Sequence, residues 1–345
     1  MNSTIPAGDN SLLKETVSER KITWLERFLG PENYRIMKGL LKTPASIMGF
    51  ILIFLFVLVA IFAPLIAPPV NNDPYKIPRD GFSAEPKPMG SVWKKNVPEV
   101  PFWYHALTGK DKWVHLFGTS QGQYDIFYGL VWGTRTAFKT GFIVVVATFL
   151  IGIIVGSVSA FYGGLVDNII MRVVDVFMTL PFILAAMIMA AVLTPVIGRS
   201  LVPSILALIA FGWMSYARII RGDILSVKER DYVLAARVVG VKDSRILFKH
   251  ILPNAVFPTL VYASLAIGDV VLSFATLSFL GIGTEVGYAD WGQILSFARN
   301  WITSLTQYWY IVVWPGLILV LFVMGWNLVG DALRDVLDPR MRGKS

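Results

Sequence analysis

The chain has 345 residues, of which 55% are hydrophobic and 16% charged, and its mean hydropathy is +0.60. Water-soluble globular domains average about 45–50% apolar and about 25% charged residues, so that class is excluded. The lack of cysteine excludes disulfides, thiolate nucleophiles, thiolate zinc sites, iron–sulfur ligation and c-type haem attachment; the net charge of +8 falls between apolar runs, where it orients a membrane protein and does not imply nucleic acid.

Residues 1–45 form a charged arm, too long for the n-region of a signal peptide and followed by a full-length span, so the sequence predicts that it is retained. Within it Ile22, Leu25, Phe28 and Leu29 recur at helical spacing and Gly30-Pro31 follows, the pattern of an interfacial helix. A spanning helix needs about 20 largely apolar residues, and charges near the bilayer centre cost several kcal/mol, so uncharged runs mark the spans. The first lies between Lys42 and Asp73, with a core from Ser46 to Leu65 ending against Pro64, Pro68 and Pro69. An insert then extends from residue 67 to 138; its Asn71-Asn72-Asp73-Pro74 and Pro86-Lys87-Pro88 signal turns and predict a small irregular extracytoplasmic cap.

The second span falls between Lys139 and Asp167, the third runs from Val173 to Ile197, and the fourth is squeezed between Arg199 and Arg218. The fifth runs from about Pro253 to Leu280, and the sixth lies between Arg299 and Asp331. Gly152 and Gly156 in the second span form a GxxxG pair that permits close helix packing. The expected architecture is an all-α polytopic membrane protein: a first helix at 46–66, a five-helix core at 139–332 containing a basic loop at 218–253, and a tail at 333–345.

Lysine and arginine concentrate in the arm, the 218–253 loop and the tail, which places all three, and both termini, on the cytoplasmic side. The insert carries lysines too, but at its length it is exempt from the rule. No phosphate loop, dinucleotide fingerprint, nucleophile elbow or HExxH is present, so neither a catalytic centre nor a bound cofactor is expected in this chain. Two acids fall within spans: Asp175 near a helix end, where Arg172 would pair with it, and Asp269, deeper, which should face protein or water and is a candidate for a translocation pathway. A respiratory or ion-translocating membrane subunit is the alternative class. It would need a chain of buried Lys, Glu or His that these two acids do not supply.

The basic loop contains Arg230-Asp231-Tyr232-Val233-Leu234-Ala235-Ala236-Arg237-Val238-Val239-Gly240 and ends in His250-Ile251-Leu252-Pro253-Asn254. Tyr232, Ala235, Ala236 and Val239 recur at helical spacing, Asp231 is placed to cap the helix, and Gly240 can end it in a left-handed conformation. One face of such a helix suits a groove on another protein, and Pro253 opens the next helix at no hydrogen-bonding cost.

Ala235-Ala236, Gly240 four residues on, and Leu252-Pro253 resemble the cytoplasmic EAA loop of ABC importer permeases. Further segments narrow the resemblance to the C-type subunit of the dipeptide/oligopeptide/nickel family: His115-Leu116-Phe117-Gly118-Thr119, Gly133-Thr134-Arg135, Tyr162-Gly163-Gly164 with Asp167, Leu277-Ser278-Phe279-Leu280-Gly281 with Trp291-Gly292, and Gly330-Asp331 with Leu337-Asp338-Pro339-Arg340. It covers roughly His115 to Arg342. The glutamate that names the loop is Leu234 here, so an acidic contact of the family's kind falls to Asp231 or Glu229, or is absent. After Gly118-Thr119 the family's acid and Gly-Arg-Asp run is replaced by Ser120 to Tyr124, with Asp125 retained.

The resemblance implies a type I importer permease in the inner membrane of a prokaryote, with a coupling helix in the loop. Asp231, Tyr232, Leu234, Ala235, Ala236, Arg237, Gly240, Leu252 and Pro253 would contact or position the ATPase. It implies as partners a homologous permease, two ATPase subunits carrying ATP and Mg, an extracytoplasmic solute-binding protein and membrane lipid. Peptides are the cargo most often moved by such permeases, with oligosaccharides and metal chelates the other possibilities.

Overall fold

A computed structural model describes residues 43–337 together with residues 27, 30 and 39–41. The interfacial helix expected from Ile22, Leu25, Phe28 and Leu29, and the tail from Asp338 onward, lie outside the described residues. Those described are mostly helical, with isolated β-bridges and no strand among them.

Helix α1 (Pro44–Ile66) starts where the Thr43 hydroxyl accepts from the Ser46 amide at 3.3 Å and Pro44 occupies the first turn. Pro64 lies inside it and does not end it. Proline lacks an N–H, so the carbonyl of Ala60 loses its helical donor. Arg135 supplies the replacement: its Nε donates to Ala60 O at 2.5 Å and its Nη2 to Ile61 O at 3.1 Å. The helix therefore continues to Ile66.

The insert that follows contains one short helix, α2 (Phe102–Thr108), and is otherwise irregular. Trp93, Tyr104 and Trp113 bury their rings against one another, and the Trp103 indole donates to Ile66 O at 3.2 Å, tying the insert to the end of α1. Beside this cluster lies a buried polar network. Asp80 accepts from the amides of Lys94 (2.7 Å) and Lys95 (2.5 Å) and pairs with the Lys87 ammonium. His115, fully buried, reaches Asp80 at 3.2 Å and Asp125 at 2.6 Å. Burial pushes the Asp80 carboxyl up, but the donors from Lys87, Lys95, His115 and Lys94 outweigh it and hold the carboxyl below the ordinary carboxylate value.

Asp125 also caps α3 (Ile126–Tyr162), accepting from the Tyr128 amide at 2.7 Å. This helix begins well before Lys139, so the expected boundary of the insert at residue 138 falls inside it. Two short helices span the next stretch, α4 (Gly164–Met178) and α5 (Phe182–Ile197), bent by 87° relative to each other. The sequence reading drew one span here from Val173. Pro181 explains the break, because it donates no hydrogen bond and disfavours helical backbone at Leu180. Helix α6 (Leu201–Lys228) packs on α3 at the GxxxG pair: a Cβ on Gly152 would stand 2.4 Å from Tyr216 Cβ, and one on Gly156 2.3 Å from Ala217 O. The glycines serve contact within the chain, letting two backbones meet.

Helix α7 (Asp231–Val238) follows in the basic loop, and α8 (Leu252–Phe279) returns across the bundle with Asp269 in its second half. At the insert end α9 (Trp291–Phe297) is capped by Asp290, whose carboxylate accepts from the Gly292 amide at 3.0 Å. Burial pushes the Asp290 carboxyl up to about 6. Helix α10 (Tyr310–Leu337) completes the bundle. Among the described residues five helices are long and apolar enough to cross a membrane, and the bent pair α4–α5 makes a sixth if counted as one span. The core is thickest towards the insert, where Phe56, Trp132, Trp291 and Phe322 are buried together.

Candidate functional site

The segment from Glu229 to Pro253 hangs from α6, whose lower end is fastened to its neighbours. The Lys228 ammonium donates to Phe161 O at 2.8 Å, at the carbonyl end of α3, where a cation is favoured. Arg221 grips the Asp167 carboxylate with two bonds of 2.6 and 2.5 Å, and Ser159 donates to the same carboxylate at 2.5 Å. Asp175 pairs with Arg218 of α6 at 2.6 Å, not with Arg172 as expected: the partner comes from across the helix interface.

The extended backbone of Arg230 turns the chain into α7, so Arg230 and not Asp231 occupies the capping position. Asp231 lies in the first turn and Arg237 in the last, each matching the helix dipole. Gly240 adopts φ +75°, and the two bonds of a Schellman motif close the helix: Gly240 N to Arg237 O at 3.0 Å and Val241 N to Ala236 O at 3.1 Å. The chain then runs through a widened π turn, Ile246–Ile251. Pro253 follows directly, and its missing N–H leaves Lys249 O without the ordinary helical partner.

Helix α7 is two-sided. Val233 and Ala236 face inward and pack with Ile220, Ile224, Ile246 and Ile251, while Leu252 lies against the same cluster. Ala236, expected on the face offered to a partner, therefore supports the fold from inside. Asp231, Tyr232, Leu234, Ala235, Arg237, Gly240 and Pro253 are exposed. So are Val238 at 89%, Val239 at 79% and Phe248 at 65%, an apolar surface outside the spans. The sequence reading missed Val238 and Phe248, whose apolar character is plain but whose direction depends on the turn at Gly240 and the π turn.

Away from this loop, Asp269 lines a cavity of about 370 Å³ where the α4–α5 break meets α3, α6 and α8. Tyr216, Tyr262 and Ser273 line it too. None of these three was singled out from the sequence, although the Thr179-Leu180-Pro181 segment marks the break that opens the space.

Residues 118–343 match the family model of the binding-protein-dependent transport system inner membrane component. Residues 34–83 match the N-terminal TM domain of oligopeptide transport permease C. The chain is 33% identical over 305 residues to the dipeptide transport system permease protein DppC of Alkalihalophilus pseudofirmus, covering 88% of this chain and 89% of that one. It is 32% identical over 338 residues to the oligopeptide transport system permease protein OppC of Bacillus subtilis, covering 98% and 96%. Among solved structures, a chain of the inward-facing MetNI methionine ABC transporter aligns at a TM-score of 0.47 and 22% identity, covering 62% of this chain and 98% of that one.

Proposed function

This chain belongs to the binding-protein-dependent transport system inner membrane components, and from that premise we propose that it is one of two homologous permeases forming the path of an ATP-driven peptide importer. Two separate ATPase subunits, carrying ATP and Mg, drive it, and a solute-binding protein outside the membrane delivers the peptide. The relatives named for dipeptide and oligopeptide transport, matched over nearly their whole length, support peptide as the cargo. The loop of α7 lies in the cytoplasm of a prokaryotic cell with both termini, and the insert faces out.

The observation that carries this reading is the outward apolar face of α7. A soluble loop ordinarily turns Val and Phe inward, because about 25 cal/mol per Å² of apolar surface is gained by burial. Here Tyr232, Leu234, Val238 and Val239 stay outside along a helix whose other side is already packed, and Phe248 stays outside in the π turn beyond it. That is the form of a knob for a groove on an ATPase subunit. Val238→Asp should leave the permease pair assembled yet lower ATPase co-elution about tenfold or more, since a buried unpaired charge costs several kcal/mol. Undiminished co-elution and peptide-stimulated ATP hydrolysis would remove α7 from the contact. Orientation is checked with single cysteines in this cysteine-free chain: Ser83→Cys should react with an impermeant reagent in intact cells and Ser226→Cys should not.

A further inference from the structure

We infer that the cavity at the broken span is a binding site for a primary ammonium group, the free α-amino end of the transported peptide, held by Asp269. This deepens the peptide-import reading and rests on it. Asp269 is the one formal charge among the residues lining the cavity; no Lys, Arg or His lines it, and among the described residues no cation pairs with Asp269. A carboxylate within a span is costly unless a cation or water compensates it. Tyr216 lines the cavity at 3% exposure, with its hydroxyl closed off from the open space.

The remaining walls suit the same ligand. The ring of Tyr262 meets that of Tyr216 edge-on with centroids 5.1 Å apart, so the acid stands among aromatic surfaces that favour a cation electrostatically. Ser273, one turn beyond Asp269, donates its proton to the Asp269 carbonyl at 2.8 Å, which leaves its oxygen free to accept. An ammonium brings three donors and no acceptor. The Asp269 carboxylate and the Ser273 oxygen are acceptors for such a group. The volume of about 370 Å³ lies within the range of small-molecule sites, and Phe177, Met178, Leu180 and Phe182 at the 87° break form one wall of it.

The test uses the complete importer, in nanodiscs for thiol modification and in proteoliposomes for uptake, with Ser273→Cys as its single thiol. A cationic methanethiosulfonate should react about tenfold or more faster than an anionic one, and adding Asp269→Asn should bring the ratio close to one. A ratio near one with Asp269 intact, as a neutralising base from the partner permease would produce, overturns the site. Free-amino dialanine, added directly at high concentration, should slow the modification while N-acetyl-dialanine should not. Equal protection by both, or by neither in complexes that import dialanine, overturns the ammonium assignment. Complexes that import no peptide would defeat the import reading, while the reagent ratio would still decide whether the cavity selects cations.

Discussion

The insert of residues 67–125 and the loop of residues 229–251 are both irregular, both lie outside the spans, and are finished in opposite ways. The insert satisfies itself: Asp80, Lys87, His115 and Asp125 pair with one another, and three tryptophans and a tyrosine close over them. The loop satisfies only its inner side and leaves Val238, Val239 and Phe248 in water. A region that has used its polar groups and aromatic rings on itself is a rigid platform. One that withholds its apolar side chains has kept binding energy for another chain.

The sharpest way to break the contrast is Asp80→Ala. It strands the Lys87 ammonium, His115 and two backbone amides in a buried place, and losing one partner of such a network costs about 3–5 kcal/mol. The melting temperature of the purified chain should fall and trypsin should cut at Lys94 or Lys95. The native Asp80 carboxyl lies below its ordinary value, so its contribution is complete above the ordinary carboxylate range and disappears as pH falls through the lowered value.

Asp290 has the opposite sign. With its carboxyl raised to about 6 in the fold, the protein binds more protons folded than unfolded between about pH 4 and 6, so stability should fall as pH rises through that window. The change is on the order of 2–3 kcal/mol. Asp290→Asn, which keeps an acceptor for the Gly292 amide, should flatten the pH profile of melting.

Ala236→Trp tests the inner side of the loop: overpacking beneath α7 should cost about 1–3 kcal/mol and lower the melting temperature of the chain even without ATPases. Val238→Asp should change the stability of the isolated chain by less than about 0.5 kcal/mol, because nothing within the chain covers that side chain. If Val238→Asp proved the more damaging to the isolated chain, the assignment of inner and outer faces would be reversed.

Much of the bundle is legible in the uncharged runs, since an apolar stretch of full length has few other uses. What those runs conceal is where charge is tolerated. Lys139 suggested a boundary, yet α3 passes through it, and one turn earlier in the same helix Arg135 finds two carbonyls of α1 that no local pattern announces. The break before Phe182 is written in Pro181 but is lost when hydropathy alone is followed. Asp175 illustrates the same limit, as Arg172 is near in sequence and Arg218 near in space. In the loop, helical spacing located α7 but not which side the bundle occupies, so Ala236, expected outside, lies inside, and the exposed Val238 went unassigned. The insert's network joins residues 80, 87, 115 and 125, and no periodicity links positions so scattered.

The bond between Arg135 and Ala60 has a consequence for how the chain is made. Synthesis delivers α1 to the bilayer while α3 and its arginine are still unmade. During that interval the proline-orphaned carbonyl of Ala60 has no peptide donor in the hydrocarbon, and the first span is incompletely satisfied there. When Arg135 arrives it brings a charge that hydrocarbon would reject on its own. Each segment carries a defect that the other repairs, so the two enter the lipid most favourably as a pair, and the insert between them is a tether whose length sets how long the first must wait.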